Sequence, residues 1–271
     1  MKRLSSQWQR LVIKVGSSLI APEGVRCSAQ YLLALVDFIE HCHRNHKQVI
    51  LVSSGSVAAG AGITQTALDK PFSIPQKQAL AAIGQSQVMQ HWQKFFDRPC
   101  AQILLTRSDL ESEKRLSNAK NTIEELFRIG AIPIINENDS VVIDELVVGD
   151  NDNLAAKVAV MCEAQRLIIC SDVDGLFDKN PVGNDEAKLL SEVFEIDQSI
   201  MQSAKGSGSK TGTGGMVTKL QAAKFATSES LETLIVNGKK AQTFESLKLE
   251  LNPGTLFHPI RGLVTFTETA S

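Results

Sequence analysis

Six short aliphatic runs, at residues 11–15, 49–52, 101–105, 132–135, 167–170 and 233–236, alternate with longer helical patterns at 29–43, 76–96, 118–129, 153–162 and 216–228. This is βαβ grammar. The runs are nearly all apolar rather than alternating, which predicts strands of a parallel sheet covered by helices on both faces. A β-ribbon is expected around 141–148, a closing strand or turn at 253–259, and a frayed tail over the last ten residues. No internal repeat and no low-complexity linker divides the 271 residues, of which 43% are apolar, enough for a sizeable core. The expectation is one α/β unit with two lobes meeting at the carboxyl ends of the strands, where open sheets of this kind bind ligands.

The residues that follow the strands point to an anion. The first strand runs into Lys14-Val15-Gly16-Ser17-Ser18, a lysine beside a small-residue turn whose backbone N–H groups can approach a phosphate. It is not a Walker A sequence, and a surface β-turn explains it about as well. The second strand ends in Ser53-Ser54-Gly55-Ser56, followed by Ala58-Ala59-Gly60; such a turn exposes donors at a helix N-terminus, or simply permits tight packing of helix on sheet. A third glycine-rich element, Gly212 through Lys219, precedes a helix and sets Lys219 on its first turn, unless it is a linker with an incidental lysine.

Residues 136–153 (NENDSVVIDELVVGDNDN) carry six carboxylates and no lysine or arginine. Such a stretch binds a metal, grips an ammonium group, or is a solvated acidic loop. All four elements fall at strand ends, so one sheet edge gathers two lysines, several anion-binding turns and a set of carboxylates, the parts a phosphoryl transfer site needs.

Composition narrows the field. The net charge is −2 with lysines and arginines scattered, which argues against a nucleic-acid partner. The five cysteines form no C-x-x-C pair and read as reduced and structural. The five histidines lack zinc spacing and are expected at the surface. The first apolar stretch begins at Leu11 and breaks at Gly16, too short for a signal-peptide core or a membrane span, so a cytoplasmic protein without membrane attachment is expected.

In order along the chain, IKVGSSL, LVSSGSVAAG, LAAIGQSQ, LLTRSD, PIINENDSV, VGDNDNLAA, SDVDGLF and GTGGMVTKLQAA resemble the successive motifs of the amino acid kinase family, above all its glutamate-phosphorylating members. The similarity runs from about residue 11 to 238, with GTLFH also fitting. It implies a three-layer αβα sandwich around a mainly parallel sheet, with a glutamate-binding lobe over roughly 1–165 and an ATP-binding lobe over roughly 166–260. The implied reaction is ATP- and Mg²⁺-dependent phosphorylation of L-glutamate to γ-glutamyl phosphate, the first step toward proline. Lys14, Lys219 and Asp152 take the catalytic positions; Ser54, Gly55, Asn136, Asp139, Asp150 and Asn151 bind the amino acid. Lys14, Gly16, Ser17, Ser171, Asp172, Thr213, Gly214, Gly215, Met216, Val217, Thr218 and Lys219 bind ATP. No protein ligand to the metal is expected, because Mg²⁺ rides on the phosphates. Asp152 orients the lysines or the metal, or caps the helix that starts beside it.

The resemblance further implies feedback by proline, a reductase for the acyl phosphate, and a homo-oligomer. Many bacterial relatives continue into a PUA domain, which is not expected within these residues. An N-acetylglutamate kinase would have no use for an acidic grip. A uridylate kinase would need more arginines than Arg98, Arg107, Arg115 and Arg128 before the acidic loop. A silent amino-acid sensor would have no phosphoryl charge for Lys14 and Lys219 to neutralise.

Overall fold

The computed structural model describes residues 2–22, 24, 26–66, 72–141, 151–204 and 215–260. The β-ribbon expected at 141–148, the glycine-rich segment before 215 and the tail lie largely or wholly outside them. The first half runs β1 (Arg10–Val15), α1 (Ser17–Ile20), α2 (Leu33–Arg44), β2 (Gln48–Ser53), α3 (Ser56–Thr64), α4 (Ile74–Gln93), β3 (Cys100–Leu105), α5 (Arg107–Glu111), α6 (Glu113–Arg128) and β4 (Ile132–Glu137). The second runs α7 (Asn151–Met161), β5 (Arg166–Ser171), β6 (Glu192–Val193), α8 (Gln198–Ser203), α9 (Met216–Ser228), β7 (Glu232–Asn237), α10 (Ala241–Lys248) and β8 (Thr255–Phe257).

The strands form one sheet in the order β3-β4-β2-β1-β5-β7-β8-β6, parallel throughout except where β8 returns antiparallel to β7. Side chains alternate across it. Val12 of β1, Ile50 and Val52 of β2 and Leu167 and Ile169 of β5 enter a core shared with Ile123 of α6, Leu154 and Val158 of α7 and Leu220 of α9. Leu11 and Ile13, Val49 and Leu51, and Ile168 and Cys170 enter a second core with Leu35 and Phe38 of α2, Trp92 of α4 and Phe244 of α10. Helices on both faces explain why the strands read as nearly all apolar, and the result is the expected three-layer sandwich.

Two expectations need correction. His43 is not at the surface: it packs on α2 with 9% of its side chain exposed, and burial, aided by Arg98, lowers its pKa to about 4, so it is neutral. The small residues after β2 serve helix against helix rather than only helix on sheet. A Cβ on Gly60 of α3 would lie 1.9 Å from the Leu80 carbonyl oxygen of α4, and one on Gly84 of α4 would lie 1.8 Å from that of Ser56. The two backbones touch, which places α4 directly behind the turn at the end of β2.

Gly84→Ala sets two effects against each other: helix propensity favours alanine by about 1 kcal/mol, while overpacking against a backbone oxygen costs about 3 kcal/mol. Net destabilisation of about 2 kcal/mol is expected from the urea midpoint, and an unchanged midpoint would show that the helices separate freely.

Candidate active site

Lys14 lies one residue before the end of β1, paired with Val52 of β2 and Ile169 of β5 at the centre of the sheet. It shares the face of Val12, the side covered by α7 and α9. Those helices begin there: Asp152 is in the first turn of α7 and Lys219 in the first turn of α9. The three side chains meet. Lys14 Nζ forms an ion pair with Asp152 Oδ1 at 2.7 Å. Lys219 Nζ donates to Asp152 Oδ2 at 3.1 Å, and Thr218 Oγ1 donates to the same oxygen at 3.0 Å. Asp152 is 1% exposed, Lys14 7% and Lys219 6%.

Burial opposes ionisation of Asp152, yet the ammoniums of Lys14 and Lys219 together outweigh it and hold the carboxyl below its ordinary range. For Lys219 the balance goes the other way: burial, with repulsion from Lys14, lowers its pKa despite Asp152. Both directions have one origin. Two ammoniums share the Asp152 carboxylate in a dry site, a concentration of positive charge suited to an anion. Gly16 follows immediately, and a Cβ there would stand 3.7 Å from Lys14 Nζ, in space an anion needs. Ser17 opens α1 beside it.

On one side of this triad lies a cavity of about 190 Å³ lined by Ser171 and Asp172 after β5, Leu176, Gly215 and Met216 before and in α9, and Lys219 itself. Val217 is half-buried on α9. Thr213 and Gly214 lie outside the described residues, as does Asp150.

On the other side is a polar network. Gly55, at φ 104°, turns the chain from β2 into α3, and a Cβ on it would meet Ile20 Cγ2 at 2.9 Å. Asn151 Nδ2 donates to Ser54 Oγ at 2.8 Å and to Asn136 Oδ1 at 2.8 Å. Asn136 Nδ2 donates to Gln85 Oε1 at 2.9 Å, and Gln85 Nε2 to Gln102 Oε1 at 3.1 Å. Ser56 Oγ donates to Asp139 at 3.1 Å; burial still raises the Asp139 pKa. The structure thus gathers the described residues of the expected amino-acid set around the ends of β2 and β4 and the start of α7. It also adds Gln85 and Gln102, which sequence reasoning missed; the trace available was the LAAIGQSQ motif, where Gln85 sits among apolar neighbours. Among the described residues no group of three or more His, Cys, Asp or Glu side chains is placed to hold a metal, and the oxygens of Asp152 are both taken by lysines.

Asp152→Asn would remove the carboxylate that two buried ammoniums share, so a loss of about 3 kcal/mol is expected in thermal or urea unfolding; a loss below about 1 kcal/mol would mean the ammoniums separate into solvent. For Asp139 the folded pKa lies above the unfolded one, so its charge costs stability at neutral pH and the cost disappears as pH falls through the folded value. Asp139→Asn should therefore raise the melting temperature at pH 7.5, by an amount that fades toward pH 4; a gain independent of pH would refute the electrostatic cause.

Comparison with known proteins bears on this arrangement. The sequence profile of the amino acid kinase family matches residues 9–237. The chain is 48% identical over 250 residues to a glutamate 5-kinase of Idiomarina loihiensis, covering 92% of this chain and 67% of that one. It is 49% identical over 252 residues to glutamate 5-kinase 1 of Pseudoalteromonas translucida, covering 93% and 68%. A crystal structure of UMP kinase from Bacillus anthracis superposes with a TM-score of 0.62 over 93% of this chain and 96% of its own, at 13% identity, a likeness of fold alone. With the sheet order, the lysine pair on Asp152 and these matches in agreement, the chain belongs to the amino acid kinase family.

Proposed function

We propose that this protein transfers the terminal phosphoryl group of ATP to the γ-carboxylate of L-glutamate, giving γ-glutamyl phosphate and ADP. The observation that carries the reading is the lysine pair on Asp152, set between the cavity beside Ser171 and the amide network at Ser54, Asn136 and Asn151. Close similarity to glutamate 5-kinases supports the choice of acceptor.

The nucleophile needs no base, because a γ-carboxylate with reference pKa near 4.3 is ionised at neutral pH. An oxygen of that carboxylate forms a bond to the terminal phosphorus as the bond from phosphorus to the bridging oxygen breaks, and ADP leaves with the electron pair. The obstacle is repulsion: two unit charges about 4 Å apart cost roughly 4 kcal/mol at an effective dielectric near 20. Lys14 offsets it at the transferring group and Lys219 on the ADP side, both fixed by Asp152 so that little reorganisation is needed in the transition state. Mg²⁺, bound through the ATP phosphates, contributes further neutralisation when present. Ser171 and Asp172, with residues 213–219, hold the nucleotide.

Ser54 and Gly55 take the carboxylate side of glutamate; Asn136, Asp139 and Asn151, with Asp150, take its α-ammonium and α-carboxylate. The acceptor lobe spans roughly residues 1–165 and the nucleotide lobe 166–260. Proline, which shares the α-carboxylate and a cationic nitrogen, fits the same grip as a competing ligand. A labile acyl phosphate calls for a reductase to consume it, and the reading includes a homo-oligomeric enzyme of the cytoplasm. Among the described residues no helix is long and apolar enough to cross a membrane.

Trapping the product with hydroxylamine, with glutamate, N-acetylglutamate, aspartate and uridylate offered in parallel, should give hydroxamate from glutamate; product from N-acetylglutamate alone would overturn the assignment. Lys14→Ala and Lys219→Ala should each lower kcat by roughly 100- to 1,000-fold with little change in the KM for glutamate. Equal losses in both constants would remove the transition-state role.

A further inference from the structure

The amide network at the acceptor side has a direction, and one backbone group sets it. Asn136 Oδ1 accepts from the backbone N–H of Glu137 at 2.9 Å, and a backbone N–H can only donate. The oxygen of the Asn136 amide is thereby fixed on that side, and its nitrogen must face Gln85. Gln85 then has to present its oxygen to Asn136 and its nitrogen to Gln102, while Asn151 has to present its nitrogen to Asn136 Oδ1. The second acceptor for that nitrogen, Ser54 Oγ, leaves the same orientation in place. What remains is Asn151 Oδ1, a buried acceptor with no hydrogen-bond partner among the described residues. A buried acceptor left unmade is costly, so this oxygen is suited to receive a donor.

We propose that Gln85 is a positioning residue for amino-acid binding: by accepting from Asn136 it holds that amide in the orientation the Glu137 N–H dictates, so that Asn151 offers oxygen, not nitrogen, to the α-ammonium of the substrate. The inference rests on the reading of the acceptor as glutamate and adds a residue that supports recognition of its ammonium. Gln85 reaches Asn136 because the Gly60 and Gly84 contact brings α4 against the turn after β2. It lies beneath the amides and belongs to neither the triad nor the nucleotide cavity.

The test separates polarity from bulk. Gln85→Met keeps the length of the side chain and removes the acceptor; Gln85→Glu keeps an oxygen facing Asn136. Steady-state kinetics with glutamate and ATP varied in turn should show Gln85→Met raising the KM for glutamate about tenfold, the equivalent of one lost buried hydrogen bond, with the KM for ATP unchanged. Gln85→Glu should stay within about threefold of the parent enzyme, as expected if the acceptor at this position is what matters. Should Gln85→Met fail to fold, Gln102→Leu reads the same chain from its exposed end, with an expected rise in glutamate KM of about threefold and none for ATP. Unchanged glutamate KM in the variant that folds, a parallel rise for ATP, or a Gln85→Glu enzyme as impaired as Gln85→Met would each overturn the proposal while leaving the glutamate reading intact. Failure of the parent enzyme to phosphorylate glutamate would overturn both.

Discussion

A single buried carboxylate holds the centre of this molecule together. Asp152 is the counterion of two lysines that come from segments some two hundred residues apart in sequence, one on the central strand and one on α9. Without it neither ammonium belongs in a site this dry, since isolated buried charges are expelled or neutralised. With it, the start of α7, the start of α9 and the end of β1 converge on one point. Two ammoniums brought onto one carboxylate in this way concentrate positive charge where an anion can meet it.

The surrounding fold exists to present that cluster from two sides. The sheet order puts β1 between β2 and β5, so turns from both neighbours open beside Lys14. The turn after β5 leads to the cavity lined by Ser171 and Asp172; the turn after β2 leads to the amides. On the amide side the close approach of α3 and α4, allowed by two glycines, brings in a helix that a longer side chain at either position would hold away.

Much of this was legible from residues alone. The apolar strands, their parallel arrangement and the bounds of the helix at 216–228 followed from local pattern, because burial on both faces writes itself into every strand residue. Lys14 and Lys219 stood out as lysines beside glycine-rich turns, and the family motifs gave them a common site. Asp152 was expected either to orient the lysines or the metal or to cap a helix, and in the structure its carboxylate meets both lysines. Gln85 was hidden for a physical reason: its partner Asn136 is 51 residues away, and the meaning of the contact lies in the orientation of an amide set by the Glu137 N–H, which no composition or spacing encodes. His43 misled because a helix rich in histidine and arginine reads as solvated, whereas its orientation against the core is decided by packing with the rest of α2 around Phe38 and Ile39.

The shared carboxylate has a chemical consequence beyond alignment. An acyl phosphate is an acylating agent, and on the proposed reaction it forms within reach of two primary amines. An amine attacks only through its lone pair, and a protonated one has none to give. Lys219, whose proton affinity burial lowers, would be the vulnerable member; the carboxylate opposite it favours the protonated form, and so protects the enzyme from amidation by its own product.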